Sequence, residues 1–358
     1  MHNFDEYIRQ GEPDKKEKGQ IWQTAIGLQQ VDGLKPSEYL IQTAILNIEG
    51  DITFEEVKNR IDNYYKTQVA RQNDKEDDRT EEADKVSARI AEILSEKTFS
   101  FSPVSYLNIH RRLFNGICKF AGKIRDYNIT KSEWVLDGET VFYADADTLK
   151  ATLEYDFEQE KKFDYKGLNT QQIIEHIAHF ISYLWQIHIF GEGNTRTTAV
   201  FLIQYLRKLG FNDTNNDLFA QHSWYFRNAL VRANYRNLKI GVYATEKYVV
   251  RFLENLLLGE NHILKNRELH INFAENVGVK YVNVGVNVGV KKDILNFLTE
   301  NPNLTAQELA TKLSKTTRTI ERNIKELREK GIITRLGSDK TGSWQINVFC
   351  STEKNVMD

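Results

Sequence analysis

The stretch His188-Ile-Phe-Gly-Glu-Gly-Asn-Thr-Arg196 decides how the rest of this 358-residue chain is read. Before it, Ile173, Ile174, Ile177, Phe180, Ile181 and Leu184 form one apolar face of a helix that ends near His188. After it, a helix from about Asn194 to Leu209 is apolar nearly all round, the pattern of a segment at the buried centre of its domain. Between the two, Gly191 and Gly193 let backbone N–H groups approach a ligand closely, and the second helix directs its positive end to the same place. That combination suits an anion, above all a phosphate. Arg196 in the first helical turn adds a charged fork for phosphate oxygens, and Asn194 is a further donor. Glu192 makes sense in an anion site if a cation such as Mg2+ bridges it to the phosphates. His188, at the rim, is suited to take a proton near neutral pH.

Outward from this loop the chain stays helical with one interruption. Leu107, Ile109, Leu113, Phe114, Ile117 and Phe120 recur at helical spacing as far as Ala121-Gly122. Between Ile129 and Tyr143 the period changes. Trp134, Val135 and Leu136, the pair Asp137-Gly138, then Val141, Phe142 and Tyr143 read as a β-hairpin with an Asp-Gly turn. Towards the N-terminus, Trp22, Ala25 and Ile26 lead to Asp32-Gly33, where the glycine stops a helix before Pro36. A second helix runs from Ser37 to Glu49-Gly50, and a third starts at Thr53, which forms a capping-box pattern with Glu56. Asp74–Lys85 is a charge run that reads as a solvated helix face or linker, and Val86–Leu94 resumes helical spacing.

In the other direction, Asn276–Val290 contains the near-repeat NVGVKYVNVGVNVGV, read as an extended connector. Beyond it, Asp293–Glu300, Thr305–Leu313 and Thr316–Lys330 are three expected helices, and Ile332–Leu336 with Ser343–Phe349 an expected hairpin. That is the winged-helix layout. In its third helix Ile320, Ile324 and Leu327 should face inward, leaving Arg318, Thr319, Arg322 and Lys325 outward. Residues 305–345 carry nine Lys/Arg against five Asp/Glu, which suits major-groove docking on double-stranded DNA, with Lys340 on a phosphate. A winged helix used for protein contacts or homodimerisation fits the same pattern.

Composition sets the outer bounds. The chain is 41% hydrophobic and 27% charged, enough to bury a core, and its length suggests two or three domains. Forty-eight basic and fifty acidic residues exclude a globally basic nucleic-acid coat. No run is apolar enough for a membrane span or a secretory signal, and Cys118 and Cys350 make neither a disulfide framework nor a metal site. A reduced, cytoplasmic protein with no membrane partner is expected. His110, His176, His179 and His222 lack ligand spacing and read as structural.

His188, Phe190, Glu192, Gly193, Asn194 and Arg196, at their spacing, resemble the signature of the Fic (filamentation induced by cAMP) family, His-x-Phe-x-(Asp/Glu)-Gly-Asn-(Gly/Lys)-Arg-x-x-Arg. The resemblance extends over roughly 99–262. It implies transfer of AMP from ATP to a Ser, Thr or Tyr hydroxyl of a protein target, which includes the chain itself. His188 would be the base, Glu192 the Mg2+ ligand, and Gly191, Gly193, Asn194, Thr195 and Arg196 the nucleotide-binding residues, with Phe190 anchoring the loop. The hairpin would be a flap, on which Ser132, Glu133, Trp134 and Val135 hold the target by strand addition. Two positions depart from the signature. Thr195 stands where Gly or Lys is usual, lowering the phosphorylating alternative, and Ala199 replaces the second arginine, leaving the preferred nucleotide open. A nucleotide-sensing, DNA-binding regulator is the rival reading.

Residues 20–66 resemble the small helical antitoxin that inhibits Fic toxins. Its inhibitory (Ser/Thr)-x-x-x-Glu-(Gly/Asn) aligns with Leu28 and Asp32-Gly33, and the glutamate's usual arginine partner aligns with Ala199. Asp32 and Gly33 are the regulatory residues by this resemblance, expected to pack on the enzyme while obstructing ATP weakly or not at all. The expected fold is mainly α. It comprises an antitoxin-like unit (1–70), a charged connecting segment (71–98), a Fic helical core with a β-hairpin flap (99–262), a linker (263–290) and a C-terminal winged helix-turn-helix (291–358).

Overall fold

The punctuation of the N-terminal third sets its elements. A computed structural model of the chain describes residues 4–67, 76–211, 216–273, 293–295, 297–298, 301–313, 315–329, 333–336 and 343–346. After the short α1 (Asp5–Gln10), α2 (Pro13–Gly27) carries proline in its first turn. It tightens into a 3-10 turn, Leu28–Asp32, that ends on Gly33 at φ 68°. Helix α3 (Glu38–Glu49) is capped by the Ser37 hydroxyl, and α4 (Phe54–Lys66) by the expected Thr53/Glu56 box. Helix α5 (Glu76–Ser95) corrects the linker reading of the charge run. Asp84 lies buried, accepting from the Ser37 N–H and the Tyr65 hydroxyl, and Val86, Ile90, Ala91 and Leu94 join the core.

The helices that follow are α6 (Pro103–Phe114), α7 (Leu149–Lys162), α8 (Thr170–Ile187), α9 (Asn194–Lys208), α10 (Asp217–Ala233) and α11 (Lys247–Leu258). Every residue of α9 from Asn194 to Leu206 is buried, as its all-round apolarity requires. Helix α6 stops earlier than its spacing suggests, because Gly116 takes φ 74° and turns the chain after Asn115. The expected β-hairpin is also corrected. Asp137 (φ 57°) and Gly138 (φ 90°) do form the turn, and Glu133 N–H donates to the Glu139 carbonyl, but Trp134–Leu136 is a 3-10 turn and no strand ladder forms. Tertiary contacts outcompete strand pairing here: Val135 and Leu136 turn into the core, and the Val135 carbonyl accepts from Ile271 N–H.

Residues 1–277 make one compact unit and 278–358 another. The antitoxin-like helices therefore share a core with the enzyme-like ones. Helix α2 packs against both α5 and α10. At Gly27 an added Cβ would lie 2.2 Å from the Ala220 Cα, so only glycine allows the two backbones to approach this closely. Residues 263–273, expected in a linker, pack onto this unit through buried Leu264 and Leu269. The remainder of the connector, Asn276–Val290, lies outside the described residues, as do Lys340 and Cys350.

In the second unit, Thr305 and Glu308 box the start of α12 (Ala306–Lys312), which precedes α13 (Thr317–Glu329). Strands β1 (Ile333–Leu336) and β2 (Ser343–Ile346) pair antiparallel with Ile333 opposite Ile346. Ile320, Ile324 and Leu327 face its core with Ile294, Leu298 and Leu309.

Candidate active site

The loop between α8 and α9 is closed on itself. Phe190 N–H donates to Asn194 Oδ1 at 3.0 Å, and Asn194 Nδ2 returns a bond to the Phe190 carbonyl at 2.8 Å. Asn194 is thereby the loop's internal clasp, with one of its two amide protons spent on the Phe190 carbonyl. Gly193 caps α9 at φ 75°, and a Cβ there would meet the Phe114 ring at 2.4 Å. A Cβ on Gly191 would approach the Tyr127 hydroxyl at 2.7 Å. Gly193 is therefore required by both space and conformation, whereas at Gly191 the movable end of the exposed Tyr127 side chain would have to shift. Thr195 departs from expectation. Its hydroxyl accepts from Trp185 Nε1 at 3.0 Å inside the core, so only its backbone remains for a nucleotide.

Two buried residues that sequence patterns left as structural or passed over fix this loop from below. His110 accepts from Gly122 N–H through Nδ1 at 2.8 Å, which leaves its proton on Nε2 to donate to the Glu192 carbonyl at 3.0 Å. Its ring stacks on Phe190 at 3.7 Å, and burial pushes its pKa down to about 4. Arg125 donates to the His188, Tyr127 and Ala144 carbonyls, joining the end of α8 to both ends of the flap segment. His110 had only its helical spacing to announce it, and Arg125 stood in a turn with no pattern.

His188 closes α8 in the left-handed region (φ 49°) and is 4% exposed. Both ring nitrogens are buried without a hydrogen-bond partner among the described residues. Burial pushes its pKa well down, assisted by the charges of Lys131, Arg227 and Arg125, so the imidazole is neutral at physiological pH. Glu192, by contrast, is 68% exposed and meets Lys131 Nζ at 3.1 Å. No group of three His, Cys, Asp or Glu among the described residues is arranged to hold a metal. A cation here would thus rest on one carboxylate, phosphate oxygens and water, a donor set that suits Mg2+.

Arg196 overturns the expectation that Asp32 has no partner. Its Nε lies 2.7 Å from Asp32 Oδ2, one terminal nitrogen donates to Gln29 Oε1 at 3.0 Å, and the other to Glu82 Oε1 at 2.7 Å. Its guanidinium also stacks on Phe114. Asp32 thus pairs with the arginine one turn before Ala199, positions 196 and 199 being neighbours on one helix face. Gly33 provides the left-handed turn beside it, and Arg79 donates to the Asp32 carbonyl.

The flap residues divide. Ser132 and Trp134 are exposed, whereas Glu133 and Val135 are fully buried, and the Val135 carbonyl is already bonded. Strand addition at Val135 is therefore closed. In the second unit Arg318, Arg322 and Lys325 are exposed as expected. Thr319 is half-buried, and its hydroxyl and N–H both engage Thr316.

The loop, an anion-ready helix start beside a buried histidine, lies in a stretch that comparison with known proteins also picks out. Residues 100–206 match the Fic/DOC family, and residues 290–334 match a winged helix-turn-helix described as DNA-binding, so the chain carries a Fic domain and a winged-helix domain. Among curated relatives, protein adenylyltransferase VbhT of Bartonella schoenbuchensis is 21% identical over 197 residues, 55% of this chain. The match spans only 39% of that protein's length. A Fic family protein from Desulfovibrio desulfuricans G20 aligns over 98% of this chain and 95% of its own, with TM-score 0.41 and 12% identity, a likeness too loose to build on. No helix among the described residues is long and apolar enough to cross a membrane.

Proposed function

We infer that the protein is an adenylyltransferase that moves AMP from ATP to a hydroxyl of a protein, its own chain among the candidates. The observation that carries this is the buried His188 imidazole, both nitrogens unpartnered among the described residues, held on the same closed loop as the Gly193-capped start of α9. Neutral imidazole can take the proton from an attacking hydroxyl. The hydroxyl oxygen forms a bond to the α-phosphorus, the bond to the β-phosphate oxygen breaks, and pyrophosphate leaves with that electron pair. Backbone N–H groups at the start of α9 and Arg196 would hold the phosphates. Glu192, once released by Lys131, would hold Mg2+, which supplies charge neutralisation on the phosphates. Arg196 can reach phosphate only by leaving Gln29, Asp32 and Glu82, so the N-terminal helices and α5 together restrain turnover. On this reading the obstruction would be firmer than the weak one expected for Asp32. A cytoplasmic setting suits this ATP-dependent reading.

Exposed Arg318, Arg322 and Lys325 on α13 suit a duplex DNA partner, which also keeps alive a regulator that binds nucleotide without turnover. The two readings part on one assay. With ATP labelled at the α-phosphate and Mg2+, label should appear on the chain or on host proteins. His188→Ala should reduce it by roughly 10²–10⁴-fold, the range of a general base. Binding of ATP with no His188-dependent label would favour the regulator.

A further inference from the structure

Glu133 was expected to meet a target, yet it is fully buried and forms an ion pair with Arg227 of α10 at 2.8 Å. The Tyr143 hydroxyl donates to its other oxygen at 3.3 Å. The Tyr143 ring in turn lies on the His188 imidazole, with centroids 4.2 Å apart, while Trp185 meets the same imidazole edge-on at 5.1 Å. Among the described residues no carboxylate hydrogen-bonds either nitrogen of His188, so none of them gives the orientation that the acid of a Ser-His-Asp triad supplies. Aromatic contact and burial are what remain to aim this ring.

We propose that Tyr143, fixed by the buried Glu133–Arg227 pair, is a positioning residue that aims the His188 imidazole and keeps water from it. The proposal rests on His188 being the base. The charged groups that face the imidazole are Lys131 from the flap, Arg227 from α10 and Arg125 from the turn before the flap, with Glu133 one ring further away. Burial leads those cations in holding the ring neutral. Loss of the Tyr143 ring admits water and lets His188 regain proton affinity.

The test is carbethoxylation of the intact chain by diethylpyrocarbonate, followed at His188 by peptide mass spectrometry across pH. In the unaltered protein His188 should resist the reagent. In Tyr143→Ala it should react at least roughly tenfold faster, with a midpoint moving up towards the ordinary histidine value of about 6.5. Tyr143→Phe, which keeps the ring but loses its hydroxyl, and Glu133→Gln, which loosens that hydroxyl's anchor, should both fall between them. Turnover should follow, kcat dropping in Tyr143→Ala with KM for ATP unchanged and recovering in part in Tyr143→Phe. Equal reactivity and equal midpoints in all four proteins would overturn the proposal, and Glu133→Gln decides the matter if Tyr143→Ala does not fold. The labelling uses no nucleotide. A chain that transfers nothing yet shows this pattern overturns the adenylyltransferase reading alone, whereas normal transfer with an unchanged pattern overturns the positioning role alone.

Discussion

The loop 188–196 and the turn 28–33 meet at the Arg196 guanidinium, and they are built in opposite ways. The loop closes through contacts four residues apart, Asn194 to Phe190, and through Gly193, whose own backbone demands glycine. The turn has 3-10 backbone bonds of its own, Gly33 N–H to the Gln30 carbonyl and Leu34 N–H to the Gln29 carbonyl, but its seat against α9 is made by distant residues. It stands because Gln29 and Asp32 reach Arg196, more than 160 residues away in sequence, and because Trp224 of α10 donates to the Gln30 carbonyl. A self-closed loop keeps its form whatever docks on it, whereas a turn held by its docking partner can be displaced. That difference is what a restrained transferase needs: a rigid reacting loop and a removable cover.

Breaking the cover should give the largest effect. In a protein carrying Asp32→Ala and Glu82→Ala, Arg196 keeps only Gln29 and its stacking on Phe114. Transfer should rise on the order of tenfold, because phosphate no longer competes with two carboxylates, each a charge-assisted bond of roughly 1.5–3 kcal/mol. The same protein should melt earlier without ligand, since it leaves a buried cation short of partners, and should regain more stability on adding ATP. Label transfer and ligand-dependent melting check both halves. A fall in transfer instead would mean that the pair only holds Arg196 in shape.

This contrast also explains what could be read in the sequence. Thr53 with Glu56, Gly33, Asp137-Gly138 and the glycine start of α9 were legible because each carries its partner or its backbone demand within a few residues. The destination of Asp32 was not, because alignment assigned it to position 199 and nothing local distinguishes that position from Arg196 one turn earlier. Glu82 and Asp84 were hidden in a charge run for a related reason. Composition records how many carboxylates a stretch has, and tertiary packing alone decides which two of them turn inward. The flap failed through its alternation, which described burial correctly at Val135 and Val141 but could not say that their neighbours lack a strand to pair with.

A second prediction sharpens the comparison by pH. His110 lies beneath the loop with its pKa pushed down to about 4 by burial, so the folded chain refuses a proton that the unfolded chain accepts near 6.5. Between those values the unfolded state binds more protons, and stability falls as pH falls, by up to about 1.4 kcal/mol per pH unit for each such histidine. The carboxyls of Asp84 and Glu133, which burial pushes up, act in the opposite sense. The difference in slope between the unaltered chain and His110→Gln, measured by urea unfolding from pH 7 to pH 5, isolates the histidine. A matching slope in both would show that His110 is protonated in place.

The smallest expected effect tests the loop at its least conventional position. Thr195 stands where a side chain could reach nucleotide, yet its hydroxyl accepts from Trp185 Nε1, and both residues are buried. Thr195→Val keeps the shape and removes the acceptor, leaving the indole N–H unpaired at a cost of about 1 kcal/mol. The loss should appear in unfolding and leave KM for ATP unchanged, because the backbone N–H at the start of α9 is untouched. A hydroxyl that served the phosphates would give the reverse, a raised KM at unaltered stability. The Trp185 bond lies on the core side of α9 while the phosphates would lie beyond its start. One side chain cannot serve both, and the direction of the Thr195 hydroxyl makes the loop's rigidity its task.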